Sequence, residues 1–422
     1  MNHRQQVFPT FDLPDHLIPA GRYLWELFTD ATDDQINEKV QVLPPISQEG
    51  WFPISKSFHD LLKGDIEKVA HRYKLPEGLS DFRKAEPLAC CFYLINSLHE
   101  TLISSEKLDR YGRYPYAESI QYANKITEIN YCQMIFEEIF TDLTGKILPK
   151  QEGKIFWSHD IDYMYSAWKN DLILKWKKKK FHHIPRVLWD RILYGDRWNN
   201  IEKILKLEKC YGIRSVFFWL SVQGKVRLEN GAAIDHADYH FKSEKMRNLW
   251  HKVRQTGSYN GLHKSAFSLD FEEELKNLPE RVDINRNHFL AATFPRHYHQ
   301  IEKAGIKWDA TLGFAEHIGF RNSYGRPFRP FNLQKNRPFH FYEIPLHIMD
   351  TTLTHYMNMK QTDAIHRIRN FIHDHHFNSV IGILLHNSHL DFRSSSLIGK
   401  WEKLYEDLSD YNCFDIKDSD FQ

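Results

Sequence analysis

The sequence predicts an α/β protein whose parallel strands alternate with helices from about residue 154 onward, preceded by a helix-rich region. Short apolar runs such as 154–158 and 214–221 alternate with longer amphipathic segments such as 199–213, an order typical of a parallel sheet covered on both faces. Before residue 150, apolar side chains instead recur at spacings of three and four, which is the helical pattern.

The composition is that of a globular protein with a sizeable core. The chain has 422 residues, of which 42% are hydrophobic and 26% are charged, so we expect two or three domains. A formal net charge of +1 argues against a dedicated nucleic-acid-binding protein, which usually carries a basic excess.

Targeting and cysteine patterns favour a cytoplasmic location. The N-terminus lacks a charged start followed by an apolar stretch, and no segment approaches the ~18 uninterrupted apolar residues of a transmembrane helix. The five cysteines show no CxxC spacing, which argues against both a disulfide framework and a zinc ribbon. We therefore expect no transmembrane segment.

The N-terminal region predicts two helices, at 88–104 and 130–145, and the second ends at Gly145, a suitable helix stop. The polar stretch 146–154, with a proline and a glycine, is the best linker. The predicted division is a domain of unknown role at 1–150 and a second domain at 151–422.

The second domain begins with the stretch 154-KIFWSHDIDYMYS-166, in which an apolar strand leads into Asp160 and Asp162. Because burying charge is costly unless it is compensated, such a pair indicates a metal or a reacting group. The alternative is a pair of aspartates that caps the next helix or turn.

The remaining elements follow in alternation. They are a basic amphipathic segment after residue 166, a helix at 199–213, a strand at 214–221, a helix at 243–257, a short segment at 258–265, a helix at 295–305, and strands at 306–314, 341–350 and 379–387.

Polar side chains follow these strands where each one ends. Parallel strands present their carboxyl ends on one side of the sheet, where sites in such folds are built. The sequence therefore predicts one polar rim, formed by Asp160, Asp162, His263, Arg286, Asp309, Asp350 and His386.

Five motifs in this order resemble those of the polysaccharide deacetylase (NodB homology) family. They are SHDID after the first strand, the VFF strand, GLH, an arginine motif before a helix, and LLH on the last strand, and together they span roughly residues 150–395. The closest similarity is to a divergent branch with an Asp-x-Asp first motif. Segments 81–100 and 107–119 also resemble an uncharacterised N-terminal domain often fused to such domains.

The resemblance implies an incomplete parallel (β/α) barrel with a divalent metal, most often zinc, at its open end. It implies a metal-dependent, deacetylase-like hydrolase that cleaves a carbon–nitrogen amide bond of a glycan, with an N-acetylated sugar as substrate. Amide hydrolysis at neutral pH needs an activated water, a polarised carbonyl and an acid for the leaving amine.

The resemblance implies one role for each matching residue of this chain. Asp160 would be the general base and Asp162 a metal ligand, although their spacing leaves the two roles exchangeable, and His263 would be the first imidazole ligand. Arg286 would orient the base, and His386 would be the catalytic acid.

Supporting carboxylates are also predicted, since ligands and catalytic groups are usually held by hydrogen-bonded neighbours. Asp309 or Asp350 would support Arg286 or His386.

One position departs from the family pattern. A second histidine normally stands four residues after the first, where this chain has Phe267. With Asp162 and His263 alone, one ligand short of the three that catalytic zinc usually has, the site is either completed elsewhere or empty. The candidates to complete it are Asp160, Ser265, Asp270 and His389. An empty site would indicate a catalytically inactive glycan-binding or scaffold protein.

The basic run 174-LKWKKKKFHH-183 allows two interpretations. It is either the solvated face of an inserted helix or a peripheral contact with a membrane surface through Lys177–Lys180 together with Trp176.

Overall fold

The computed structural model describes residues 15, 18–32, 87–227, 233–266, 270–393, 397 and 399–417. Their strands are β1 Lys154–Ile161, β2 Ser215–Leu220, β3 Lys225–Arg227, β4 Ala233–Asp235, β5 Tyr259–Lys264, β6 Ile284–Asn287, β7 Trp308–Asp309, β8 Phe331–Asn332, β9 Arg337–Pro338, β10 Tyr342–Glu343, β11 Leu346–Met349, β12 Val380–Leu384 and β13 Asn412–Cys413.

The helices of the same residues are α1 Ile18–Ala31, α2 Pro87–Ile95, α3 Ile120–Ala123, α4 Tyr131–Thr144, α5 Ala167–Lys177, α6 Ile184–Tyr194, α7 Ile201–Cys210, α8 Glu244–Gln255, α9 Phe271–Lys276, α10 Arg296–Lys303, α11 Gln361–His375 and α12 Lys403–Asp407. Short 3-10 turns lie at Leu98–Leu102, Ser105–Lys107, Tyr116–Glu118, Phe181–His183, His288–Leu290 and Asn387–His389, and a π-helical turn lies at Thr352–Tyr356.

The main sheet confirms the predicted parallel architecture. Its strand order is β10-β7-β6-β5-β2-β1-β12-β11, with every neighbouring pair parallel, and β13 adds to the start of β1. The order ends at β10 and β11, and no ladder among the described residues pairs these two strands, so the (β/α) barrel stays incomplete.

The local sequence explains why these elements form. β2 and β12 are buried along their whole length, as expected for continuous apolar runs in a sheet covered on both faces. α8 buries Met246, Leu249, Trp250 and Val253, which recur at helical spacing on one face. α4 ends at Gly145, whose φ of 66° places it in the left-handed region that glycine favours, as predicted.

Three predicted elements are shorter than expected. The strand predicted at 306–314 is reduced to β7, Trp308–Asp309. The helix predicted at 88–104 ends at Ile95, because Ser97 takes a left-handed conformation with φ 52° and only a 3-10 turn follows. The strand predicted at 341–350 splits into β10 and β11, because the chain leaves one end of the sheet order and joins the other between them.

The N-terminal helices share the core of the barrel. A single hydrophobic cluster contains Phe28 of α1, Phe136 of α4 and Tyr324 from the barrel side. Arg321, which is 2% exposed, is paired bidentately with the buried Glu100 through bonds of 2.7 and 2.8 Å. A domain boundary at residue 150 stays a prediction.

The basic segment after β1 forms a helical hairpin of α5 and α6. Among the described residues, none belongs to a helix whose length and hydropathy would let it cross a bilayer. All five cysteines are free thiols.

Candidate metal centre

The carboxyl ends of the strands bring most of the predicted polar residues to one rim. Asp160 is the next-to-last residue of β1, and Asp162 directly follows this strand. His263 and Arg286 lie near the ends of β5 and β6. His386 follows β12 by two residues. These residues therefore lie at the carboxyl ends of parallel strands, on one side of the sheet.

Asp162, His263 and His288 form a cluster that fits a metal ion. Asp162 Oδ1 lies 3.4 Å from His263 Nε2 and 3.7 Å from His288 Nε2. Ligands held about 2.1 Å from a tetrahedral zinc ion stand about 3.4 Å from one another, so the spacing matches a shared ion. Asp162 Oδ1 is also buried without a hydrogen-bond partner among the described residues, as expected of an atom reserved for a cation.

His263 presents its Nε2 lone pair to the cluster. Its Nδ1 lies 2.9 Å from the backbone carbonyl of Arg286, which can only accept, so Nδ1 carries the proton. Nε2 then faces Asp162 and, at 3.5 Å, Asp160 Oδ2. Because two carboxylates and a lone pair repel one another, this arrangement requires a proton or a metal ion between them.

The electrostatics of the cluster agree with this conclusion. Burial opposes protonation of His263, but the Asp160 and Asp162 carboxylates outweigh it and raise the pKa of His263 above its ordinary value. Burial lowers the pKa of His288 to about 3, which leaves this imidazole neutral and able to bind a metal. Burial raises the pKa of Asp162, but the neighbouring histidines His288, His263 and His386 lower it well below its usual range.

A left-handed turn after β6 directs His288 into the site. Phe289 and Leu290 have φ values of 60° and 54°, which cost non-glycine residues about 1–2 kcal/mol each. Arg113 from the N-terminal region donates from Nη1 to the Phe289 carbonyl at 2.9 Å. The ring of Phe289 stacks between His288, at 3.8 Å, and Tyr111, at 4.7 Å between centroids.

Arg286 holds Asp160 from beneath the cluster. Arg286 Nη1 lies 3.0 Å from Asp160 Oδ1, and both side chains are almost fully buried. The guanidinium also donates to the Ala310 carbonyl at 2.9 Å and to Ser158 Oγ at 2.8 Å, and it lies over the ring of Phe218. The predicted pairing of Arg286 with the proposed base is thus present in the structure.

His386 is held by Asp350, as predicted for one of the two supporting carboxylates. His386 Nδ1 lies 2.6 Å from Asp350 Oδ1, and the backbone amide of His386 donates to Asp350 Oδ2 at 2.7 Å. Burial lowers the pKa of His386, but Asp350 outweighs it and raises the pKa to about 10. His386 Nε2 faces the metal cluster, 3.9 Å from Asp162 Oδ2.

His389 completes a second group of potential ligands with Asp350 and His386. His389 Nδ1 lies 2.9 Å from Asp350 Oδ2. Both Asp350 oxygens already accept from backbone amides, of Thr351 and His386, so we interpret this group as a carboxylate that holds two histidines.

The other predicted residues have different partners. Asp309 bonds to His297 at 2.6 Å and supports neither Arg286 nor His386. Asp270 is exposed and caps α9 by accepting from the Glu273 amide at 2.9 Å. Ser265 donates to Glu274 at 2.9 Å. Phe267 lies outside the described residues.

Sequence reasoning missed His288 as a third potential ligand. The residue stands two positions after Arg286, inside the arginine motif 285-NRNHFL-290, and this proximity to Arg286 was the available signal. The structure thus completes a three-residue set without the imidazole expected at position 267.

The chain is similar to two solved structures, both at low sequence identity. One is described as a "putative polysaccharide deacetylase" from Mycobacterium smegmatis, with 9% identity and a TM-score of 0.37 over 62% of this chain and 86% of that one. The other, from Bordetella bronchiseptica, is described as a "putative polysaccharide deacetylase involved in O-antigen biosynthesis", with 14% identity and a TM-score of 0.30 over 61% and 78% of the two chains.

No protein-family model and no curated protein matches the sequence. The roles of the residues therefore rest on the geometry of the site itself.

Proposed function

We propose that this chain is a metal-dependent, deacetylase-like hydrolase that cleaves the amide bond of an N-acetylated sugar. The proposal depends on one observation: Asp162, His263 and His288 form a cluster of potential metal ligands. Two further pairs, Asp160–Arg286 and His386–Asp350, lie next to this cluster. This provides a base, an acid and a cation site within one cluster, as hydrolysis of an amide requires.

Asp162, His263 and His288 would hold the divalent ion. Three protein ligands with a free position are typical of catalytic zinc, and one carboxylate with two imidazoles suits zinc better than magnesium. When bound, the ion supplies Lewis acidity to the amide carbonyl.

Asp160 would take the proton of the attacking water. Its Oδ1 accepts a hydrogen bond from the guanidinium of Arg286, which fixes the orientation of the carboxylate. Its Oδ2 points toward His263 and the cluster.

His386 would donate a proton to the leaving amine. Its pKa of about 10 means that it is protonated at neutral pH, the correct state for an acid. The side chains of His386 and Asp162 are 14% and 15% exposed, whereas those of Asp160 and His263 are 4% and 2% exposed, so substrate would approach from the His386 side.

The test is acetate release from N-acetylglucosamine oligomers by the zinc-loaded protein. We expect turnover by the wild type and a loss of about a hundredfold or more in Asp160→Asn and in His386→Ala. His389→Ala serves as the matched control, because His389 contacts the Asp350 carboxylate and, among the described residues, forms no ion pair with Asp160 or Asp162. It should retain most activity.

A contrary result would favour the alternative of an inactive glycan-binding protein. Zinc-loaded wild type that binds the oligomers but releases no acetate would support that alternative. Turnover unchanged by both Asp160→Asn and His386→Ala would overturn the assigned roles.

A further inference from the structure

The hairpin formed by residues 167–194, called the basic hairpin below, contributes almost nothing to the core. α5 and α6 pack against each other and are joined by the turn Phe181–His183. Of their residues, Ala167 alone is buried. The hairpin is therefore held by its two ends rather than by packing against the barrel.

Large apolar side chains are exposed on the basic hairpin. Of the thirteen that are exposed among the described residues, nine lie in it, so the exposure is concentrated rather than scattered. Trp176, Trp189 and Ile192 are 67%, 61% and 75% exposed. The other six are Ile173, Leu174, Phe181, Leu188, Leu193 and Tyr194. A concentrated apolar surface on a protein marks an interaction site.

Positive charge is concentrated on the same hairpin. It carries eight lysines and arginines against two aspartates, a net charge of +6, whereas the whole chain carries +1 and the remainder therefore −5. Lys177–Lys180 are all exposed, and no carboxylate of the described residues forms an ion pair with them. The hairpin thus combines unpaired cations with exposed aromatic rings.

The two ends of the basic hairpin are fastened next to the catalytic rim. Asn387 Nδ2 donates to the carbonyls of Tyr163 and Trp198, both at 2.8 Å. Asn200 donates to the carbonyls of Asn387 and Leu390 at 2.9 and 3.0 Å. Since Asn387 follows His386 directly, the hairpin begins and ends beside the mouth of the site.

We propose that the basic hairpin docks on an anionic lipid bilayer. Lysines next to exposed tryptophans and aliphatic side chains are the combination by which peripheral segments bind such surfaces, with the cations at the headgroups and the apolar groups below them. A second inference rests on the proposed function: the substrate of the neighbouring site is an N-acylated sugar carried on a lipid.

Charge argues against two other occupants. A two-fold symmetric dimer through the hairpin would bring two surfaces of +6 together, which repel each other. A nucleic acid would neutralise the lysines but leave the exposed aliphatic residues Ile192 and Leu193 in water.

The first test measures vesicle binding by flotation of the full-length protein. We expect binding to vesicles of phosphatidylglycerol and phosphatidylcholine in equal parts, little binding to phosphatidylcholine alone, and release at high salt. The triple variant Lys177→Gln, Lys178→Gln, Lys180→Gln should bind at least about tenfold more weakly. The matched control replaces three exposed lysines of α7 with glutamine, Lys203, Lys206 and Lys209, and should bind like the wild type.

The apolar contribution is tested separately with Trp176→Ser and Trp189→Ser, which alter exposed side chains and leave folding intact. Both should weaken vesicle binding at low salt. Absence of vesicle binding, binding unaffected by the lysine and tryptophan variants, preferential binding to a single-stranded oligonucleotide, or dimerisation through the tryptophans would each overturn the docking proposal.

The second test compares acetate release from an N-acetylglucosaminyl lipid in the same vesicles with release from a soluble N-acetylglucosamine oligomer. The lysine variant should lose about tenfold on the lipid and nothing on the soluble oligomer. An equal loss on both would overturn the inference about the substrate. Vesicle binding without any turnover would refute the proposed function, and the substrate inference with it, while the docking surface would stand.

Discussion

His288 Nε2 lies 3.7 Å from Asp162 Oδ1, and this contact supplies the imidazole that the chain lacks at position 267. The proposed metal centre depends on this contact. Without His288, Asp162 and His263 would form a two-ligand site, which zinc rarely occupies with high affinity.

Replacing His288 should therefore abolish metal binding. We expect about one equivalent of zinc in the wild type after dialysis against trace zinc, and less than about a tenth of an equivalent in His288→Ala and in Asp162→Ala. Mass spectrometry of the metal content measures this. His389→Ala is the control and should keep its zinc, whereas loss of zinc from the control alone would place the ion at the Asp350 group instead.

Removing Arg286 should destabilise the fold as well as the site. Arg286→Met leaves the Asp160 carboxylate buried without its partner, which costs about 3–5 kcal/mol of the free energy of unfolding. Chemical denaturation of the metal-free protein measures it. Arg254→Ala, which breaks an exposed ion pair with Glu280, should cost less than about 1 kcal/mol. Equal effects of the two variants would show that the Asp160 carboxylate is not buried.

His386 should make the stability of the metal-free protein depend on pH. Because Asp350 raises its pKa from 6.5 to about 10, its contribution is fully present below about pH 6.5 and is lost as pH rises toward about 10. In His386→Gln this decline should disappear, a difference of several kcal/mol. Denaturation with a chelator at pH 6 and pH 10 measures it, and the exposed control His373→Gln should follow the wild type. Parallel profiles of wild type and His386→Gln would contradict the assignment.

The N-terminal region should tune the affinity for the metal. Arg113 donates to the Phe289 carbonyl and so maintains the left-handed turn that directs His288. Arg110 lies over the same Tyr111 ring but, among the described residues, donates no hydrogen bond to the turn. We expect Arg113→Ala to weaken zinc binding about tenfold or more and Arg110→Ala to leave it unchanged. Competition with a zinc indicator dye measures both. Unchanged affinity in Arg113→Ala would show that the turn keeps its shape unaided.

The polar rim of the barrel was predictable from sequence because the carboxyl ends of parallel strands lie on the same side of a sheet. Once the strands ending near Asp160, His263, Arg286 and His386 were identified, the alternation with helices placed these residues on one side. The spacing of two between Asp160 and Asp162 further allowed both to reach one cluster.

The features of the candidate site that the sequence did not predict depend on contacts between residues distant in the chain, which no local sequence pattern encodes. His288 reaches the ion position only because Phe289 and Leu290 adopt left-handed backbones, a conformation that neither residue type favours. Arg113 lies 176 residues from the carbonyl it stabilises. Asp309 was assigned to the site by its strand position, but His297 on the neighbouring helix takes its carboxylate.

The buried ion pair of Glu100 and Arg321 means that the N-terminal region and the barrel cannot be produced as separate proteins. A chain starting at residue 151 would lack Glu100, so the buried Arg321 guanidinium would lose its carboxylate partner. It would also expose the aromatic cluster around Tyr324 to water. The helices and the barrel should therefore melt together in a single transition, and gene fusion or truncation at residue 150 should yield aggregates rather than a working half.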